Sequence, residues 1–275
     1  SKEIVLNKNQ LHLNMKILVI QQKMIGDVLI STVICEAIKT SFPQSEVHYM
    51  IHPNTLAVVD NNPYIDRIVV FDSQLSGGFL GLLKLGQSLK DEKYDIIIDA
   101  YAKLESLIPT LLSAAPKRIG FKKWYSWIFY TKSVERKSGI LNTAIVHRLL
   151  LAQQITKTAV EPMFPQIYLS DREKEVAAER IKESIGIEKP LLMISVLGSN
   201  KKKSLPASQM AEALDFVAAQ NDAVILFNFM PNQLEEATKI YKLCKPETQA
   251  AIKLDFYTKS LREFLAILSQ CQALI

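Results

Sequence analysis

Met15-Lys16-Ile17-Leu18-Val19-Ile20-Gln21 runs through Gln22, Lys23 and Met24 into Ile25-Gly26-Asp27-Val28-Leu29, and the reading of this stretch decides the fold. The short apolar run at its start has the look of a parallel strand covered on both faces. Apolar positions at Val28, Leu29, Val33 and Ala37 then follow helical spacing over 26–41, and Pro43 ends that helix. A buried strand passing into a helix through a turn that holds a glycine is the opening unit of a doubly wound α/β sheet.

The same alternation continues outward. Strands are expected at 46–51, 65–71, 94–100 (Tyr94-Asp-Ile-Ile-Ile-Asp-Ala100) and 117–121, with helices over 79–90, 103–114 and 142–155. Residues 159–170 hold two prolines and little periodicity, which reads as an interdomain linker. The alternation then restarts. Ser170 can cap a helix over 171–185 with Glu173 close to its N-terminus. Strands follow at 189–196, 223–229 and 251–256, with helices at 206–219 (Pro206 as its first residue), 233–243 and 261–269. Ala273-Leu274-Ile275 begins one more strand. The expectation is two Rossmann-like, doubly wound parallel-sheet domains, 15–158 and 171–275, the second cut short at its C-terminus. Residues 1–14 read as an extension or cloning remnant, since Met15 opens a strand directly; an extra strand or helix is the alternative, because Ile4, Val5, Leu6, Leu11 and Leu13 are apolar. Such sheets bind ligands at the carboxyl ends of their strands. A cleft between two such edges suits a two-substrate enzyme.

Composition narrows the function classes. At 275 residues, 48% of them hydrophobic and 22% charged, the chain is long enough for two modest cores and ordinary for a globular protein. No apolar run reaches the roughly 18 residues of a membrane-spanning helix, and 1–14 lack the apolar block of a signal peptide. Cys35, Cys244 and Cys271 include no C-x-x-C pair, so neither a zinc site nor a disulfide framework is indicated; they read as buried free thiols of a reducing cytoplasm. The net charge of +5 favours an anionic partner such as a nucleotide, a phosphate or an acidic membrane surface, or else is only a solvated lysine-rich surface. No nucleic-acid partner is expected. His12, His48, His52 and His147 show no metal-ligand spacing, so no metal is expected either.

Three stretches hold candidate chemistry. In the first, Gly26 permits close backbone approach and Asp27 stands at the head of the first helix, where its carboxylate can accept a proton from a sugar hydroxyl or simply cap the helix. In the second, Gly198 and Ser199 follow a strand and precede Lys201, Lys202 and Lys203. Their backbone N–H groups and a lysine can cradle a phosphate, or the segment is a solvated loop. Neither stretch has the G-x-G-x-x-G or Walker spacing. In the third, Lys122 and Lys123 flank Trp124 and Trp127, the protein's two tryptophans. That composition suits a lipid–water interface, or a core-packing loop with a basic rim. Glu235 and Glu236 read as surface carboxylates.

Several of these segments, in order, resemble glycosyltransferase family 9, the lipopolysaccharide heptosyltransferases. They are Met15-Lys-Ile-Leu-Val-Ile with Ile25-Gly-Asp-Val-Leu, Tyr94-Asp-Ile-Ile-Ile-Asp99, Lys117-Arg-Ile-Gly-Phe121, His147-Arg-Leu-Leu, and Lys189-Pro-Leu-Leu-Met-Ile with Gly198-Ser199 and Lys203-Ser-Leu-Pro206. The resemblance implies a GT-B fold with an acceptor-binding first domain and a nucleotide-sugar-binding second one. It implies inverting transfer of a heptose, without metal or other cofactor, from an ADP-sugar to an acidic inner-core sugar of a glycolipid at the cytoplasmic face of the inner membrane. By the same resemblance Asp27 is the general base, Lys203 contacts the donor phosphates, and Gly26 and Gly198 let backbone approach substrate. The sequence also departs from the family pattern. Leu205 stands for a tryptophan, Asn228-Phe-Met-Pro-Asn232 for a glycine-rich turn, and the G-x-D-[ST]-G-P donor motif does not occur up to Ile275. A catalytically degraded relative that binds an acidic glycan or lipid head group is the rival expectation.

Overall fold

Ile17, Leu18, Val19 and Ile20 have no solvent-exposed surface, which fixes their strand at the centre of a sheet. The computed structural model describes residues 14–71, 78–136, 143–156, 163–186, 189–198 and 200–275. The chain divides into two units, Ser1–Tyr168 and Leu169–Ile275. The first unit runs β1 (Lys16–Ile20), α1 (Ile25–Ser41), β2 (Glu46–Ile51), β3 (Arg67–Val70), α2 (Gly78–Asp91), β4 (Ile96–Asp99), α3 (Leu104–Leu112), β5 (Lys117–Phe121), α4 (Ser126–Phe129), β6 (Lys132–Val134) and α5 (Ala144–Ala152). Its six parallel strands lie in the order β3-β2-β1-β4-β5-β6. The order reverses between β1 and β4, so their carboxyl ends frame the crevice where an open α/β sheet takes its ligand.

Alternation along β1 sends side chains to two cores. Leu18 and Ile20 join Met50, Phe71, Leu89 and Ile97 beneath α2 and α3. On the other face α1 packs against α5, and the Tyr49 hydroxyl donates to the carbonyl of Val28 at 2.7 Å, tying β2 to α1. Each fully buried aliphatic side chain contributes about 1.5–3 kcal/mol, so the strand that leads to the site is also among the best anchored.

The second unit runs α6 (Asp171–Ile185), β7 (Leu191–Ser195), α7 (Ala207–Gln220), β8 (Val224–Asn228), α8 (Leu234–Leu243), α9 (Pro246–Ala251), β9 (Ile252–Lys253), α10 (Leu261–Leu268) and β10 (Ala273–Leu274). Its parallel sheet has the order β10-β7-β8-β9, with the reversal between β7 and β10. Ser170 caps α6 in a reciprocal box with Glu173. Leu191 and Met193 face α6 and α10, while Ile194 faces α7 and α8.

Some expectations move. The strand expected at 251–256 shrinks to Ile252–Lys253, because Pro246 fits the first turn of a helix and Glu247 favours its N-terminus, so 246–251 coil into α9. Pro206 is the cap and not the first residue of its helix; α7 begins at Ala207. The cysteines are free, but only Cys35 and Cys244 are buried; Cys271, just past α10, is half-buried. Burial raises the thiols of Cys244 and Cys271 to about 11. Residues 1–13 and 157–162, which hold most of the expected extension and part of the expected linker, lie outside the described residues. Among the described residues, no helix is long and apolar enough to cross a membrane, and no three His, Cys, Asp or Glu side chains are grouped to hold a metal.

Candidate active site

The turn from β1 to α1 opens the crevice of the first unit. Met24 precedes α1 at φ 68°, a left-handed conformation that a non-glycine residue rarely adopts. Its side chain is exposed. Such strain costs about 1–3 kcal/mol and persists where surrounding structure fixes it. Gly26 sits in the first turn of α1, and a Cβ built there would meet nothing within 4 Å, so the space before this backbone is open. Asp27 lies in the same turn, where the helix dipole favours a negative charge. The N-cap position belongs to Met24, so the capping alternative for Asp27 is not what the helix uses.

The Asp27 carboxylate is about half exposed, and its ion-pair partner is Arg148 on α5, whose Nη2 lies 3.6 Å from Oδ1. Arg148 itself is buried. Its Nε donates to Ser31 Oγ at 2.7 Å and its Nη2 to Gln21 Oε1 at 3.2 Å. Burial lowers the proton affinity of this guanidinium, and the Asp27 carboxylate works against that shift. Phe121, at the end of β5, carries two guanidinium groups: Arg136 Cζ stands 4.4 Å and Arg148 Cζ 5.6 Å from the ring centre.

The other wall is the turn after β4. Asp99 is fully buried and accepts from the N–H of Tyr101 (3.0 Å) and Ala102 (2.8 Å), from Ser106 Oγ (2.8 Å) and from Tyr130 OH (2.8 Å). Burial still pushes its carboxyl above the ordinary range, against the pull of those four donors. Ala102 is held at φ 52°. Glu105, in the first turn of α3, pairs with Lys23 at 2.8 Å and also accepts from Tyr101 OH at 3.1 Å, and the Lys23 contact lowers its proton affinity. The two turns of the crevice are therefore cross-linked to each other.

Gly120 explains one glycine of the β5 motif. A Cβ there would lie 2.2 Å from Tyr130 Cε2 and Cζ, so only a bare backbone lets the ring reach Asp99. The two tryptophans beyond β5 do not pack in the core: Trp124 is 88% and Trp127 76% exposed. Its lysines are less free than their sequence indicates. Lys122 pairs with Glu135. Lys123 donates to the carbonyl of Ala102 at 2.7 Å and stands over the Tyr125 ring.

In the second unit the corresponding turn follows β7. Gly198 is needed there, because a Cβ would meet the Lys203 carbonyl oxygen at 2.4 Å. Its N–H, expected to meet a phosphate, instead donates to Ser204 Oγ at 3.0 Å, since the loop folds back and closes on itself. The Gly198 carbonyl accepts from Gln233 at 2.9 Å. Ser199 lies outside the described residues. Lys201, Lys202 and Lys203 form an exposed 3-10 turn, and Glu235 and Glu236 are exposed at the head of α8. Sequence reading missed Arg148 and Arg136 as site residues. An arginine inside the apolar segment Ala144–Ala152 was the available signal for the first.

Two Rossmann-like parallel α/β units in series, each with its first strand-to-helix turn at the reversal point of its sheet, place the chain in the GT-B fold class. The sequence model of glycosyltransferase family 9 (heptosyltransferase) matches residues 82–275, and the chain belongs to that family. It is 22% identical over 226 residues to the lipopolysaccharide core heptosyltransferase OpsX of Haemophilus influenzae, covering 80% of this chain and 62% of that protein. It is 19% identical over 213 residues to lipopolysaccharide heptosyltransferase 3 of Escherichia coli K12, covering 73% and 59%. The chain thus spans about three fifths of the length of these curated relatives. In fold it is similar to the glycosyl transferase family 9 structure from Veillonella parvula DSM 2008, with a TM-score of 0.80 at 20% identity over 94% of this chain and 75% of that one. The E. coli ADP-heptose LPS heptosyltransferase II gives 0.70 at 19% identity over 94% and 78%.

Proposed function

We propose that this protein transfers a heptose from an ADP-sugar to an acidic inner-core sugar of a lipopolysaccharide acceptor, with inversion at the anomeric carbon and without a metal or other cofactor. Family membership supports the reaction class. The observation that carries the residue assignment is the Asp27 carboxylate: half exposed, at the head of α1, on the ligand edge of the sheet. In the proposed step an acceptor hydroxyl gives its proton to Asp27 as its oxygen bonds to the anomeric carbon. The bond from that carbon to the diphosphate oxygen breaks with its electron pair, and ADP leaves. Attack opposite the leaving group inverts the centre. Lys203, exposed beside the Gly198 turn, supplies positive charge for the diphosphate. Arg148 is a positioning residue that holds the base aimed at the crevice.

The reading places the reaction at the cytoplasmic face of the inner membrane, where Trp124 and Trp127 dock the protein on lipid with Lys122 and Lys123 at their base. Replacement of both tryptophans by alanine is then expected to abolish co-sedimentation with anionic vesicles; undiminished sedimentation sinks the docking reading alone.

Asp27→Asn tests the reading. A base worth 10²–10⁴ in rate is lost. An ion pair at 3.6 Å on a half-exposed carboxylate holds at most about 1 kcal/mol of stability. Heptosyl transfer should therefore fall by at least about 100-fold with a melting temperature close to the parent's. Transfer at the parent rate would overturn the assignment.

A further inference from the structure

The two arginines at Phe121 have unequal positions. Arg148 is buried and engaged by Ser31, Gln21 and Asp27. Arg136 is exposed just past the carboxyl end of β6, on the same edge of the sheet as Asp27, and the Phe121 ring holds it at 4.4 Å. The carboxylates nearest in sequence and charge are already engaged: Glu135 by Lys122, and Asp27 by Arg148. Among the described residues, none forms an ion pair with Arg136. Beside the larger effect of burial, Arg136 also repels Arg148 and lowers its proton affinity, so this corner has two guanidinium groups and a single carboxylate, which is held by Arg148 alone.

An exposed arginine gains little from a ring alone. What the ring does provide is orientation, so that the fork loses less freedom when it takes a planar anion in two parallel hydrogen bonds. A bound anion would also relieve the repulsion between the two cations and leave Arg148 to Asp27.

Resting on the heptosyltransferase reading, we infer that Arg136 on its Phe121 platform is an acceptor-specificity residue that binds an anionic group, carboxylate or phosphate, of the acceptor sugar whose hydroxyl meets Asp27. This makes recognition of acceptor charge a property of one exposed side chain, separable from the base and its positioning arginine.

The test is steady-state transfer by the full chain and by Arg136→Gln, with three acceptors: de-O-acylated inner-core glycolipid, the same glycolipid with its carboxylates methyl-esterified, and the same with its phosphates removed. With the unmodified acceptor, Arg136→Gln should raise KM about 10- to 100-fold, the loss of a charge-assisted pair, with kcat within about threefold. The acceptor that lacks the recognised anion should show no difference between parent and variant, which tells carboxylate from phosphate. Arg136→Lys should recover part of the loss. An unchanged KM, or the same penalty on all three acceptors, overturns the inference. Absence of transfer by the parent would instead sink the reading it rests on; calorimetry of the unmodified acceptor on parent and variant then still decides whether Arg136 binds the anion.

Discussion

Gly120→Ala should disable the first unit more than its size implies. The new Cβ would stand 2.2 Å from two ring atoms of Tyr130, where carbon atoms in contact keep about 3.5–4.0 Å apart. The ring must retreat by more than about 1 Å. It is anchored at its far end, by the hydroxyl that donates to Asp99 Oδ2 at 2.8 Å, and that bond cannot stretch so far and survive. Overpacking costs about 1–3 kcal/mol, and a lost hydrogen bond to a buried charged group costs about 1.5–3 kcal/mol. The two overlap, giving about 2–5 kcal/mol. For a body of this size, each kcal/mol lowers Tm by about 2–4 °C, so calorimetric melting should show the first unit's transition down by about 4–20 °C. Tyr130→Phe, which removes the hydrogen bond alone, should cost about half as much. In a Tyr130→Ala background the alanine at 120 has room and should cost less than about 0.5 kcal/mol. An equal penalty for Gly120→Ala with and without the ring, or a melting temperature within about 2 °C of the parent, would refute the clash and the reason given for this glycine.

Two further outcomes follow from the second unit. Gly198→Ala would drive a Cβ into the Lys203 carbonyl at 2.4 Å and push the lysine turn outward; on the proposed reading calorimetry should find ADP binding weakened at least about tenfold, and an unaltered affinity would remove this turn from the proposed donor site. Glu173 pairs with Arg262, whose Nη2 donates to it at 2.9 Å, and this holds its carboxyl at about 2 against an ordinary 4.5. The unfolded chain therefore binds the extra proton first. The stabilisation is whole above about pH 4.5 and drains as pH falls toward 2. Urea unfolding across that window should show a slope that Glu173→Gln flattens, and a slope unchanged by the substitution would exclude Glu173 as its source.

The fold was legible because its strands are buried on both faces. The central strand reads as an unbroken apolar run, Ile17–Ile20, and the more mixed strands 46–51 and 117–121 and the capped helix 171–185 also fall at the expected bounds. α4 and β6 were not legible. Each is too short for a period to show, and what holds them is tertiary: Ser126 Oγ and Ser133 Oγ lie 2.9 Å apart, and Tyr130 reaches back to Asp99. The site was legible as a place, since glycine and aspartate after the first strand mark the turn. Its electrostatics were not. No spacing rule links Asp27 to Arg148, far along the chain, or shows that Ser204 takes the N–H of Gly198.

Two aspartates close neighbouring turns of one crevice, and their surroundings divide the work between them. Asp99 receives four donors at 2.8–3.0 Å and has no exposed surface. Every lone pair it could offer a substrate is occupied, and freeing one would break the frame of the β4 turn. It is a structural carboxylate, and burial drives its proton affinity up, which a frame tolerates because its donors compensate. Asp27 has one cation at 3.6 Å, beyond a good hydrogen bond, and about half its surface open. A general base must reach the proton it takes and must have an oxygen free to take it. Of the two, only Asp27 satisfies both conditions, and the cross-linked turns around it supply the rigidity that its own light tether does not.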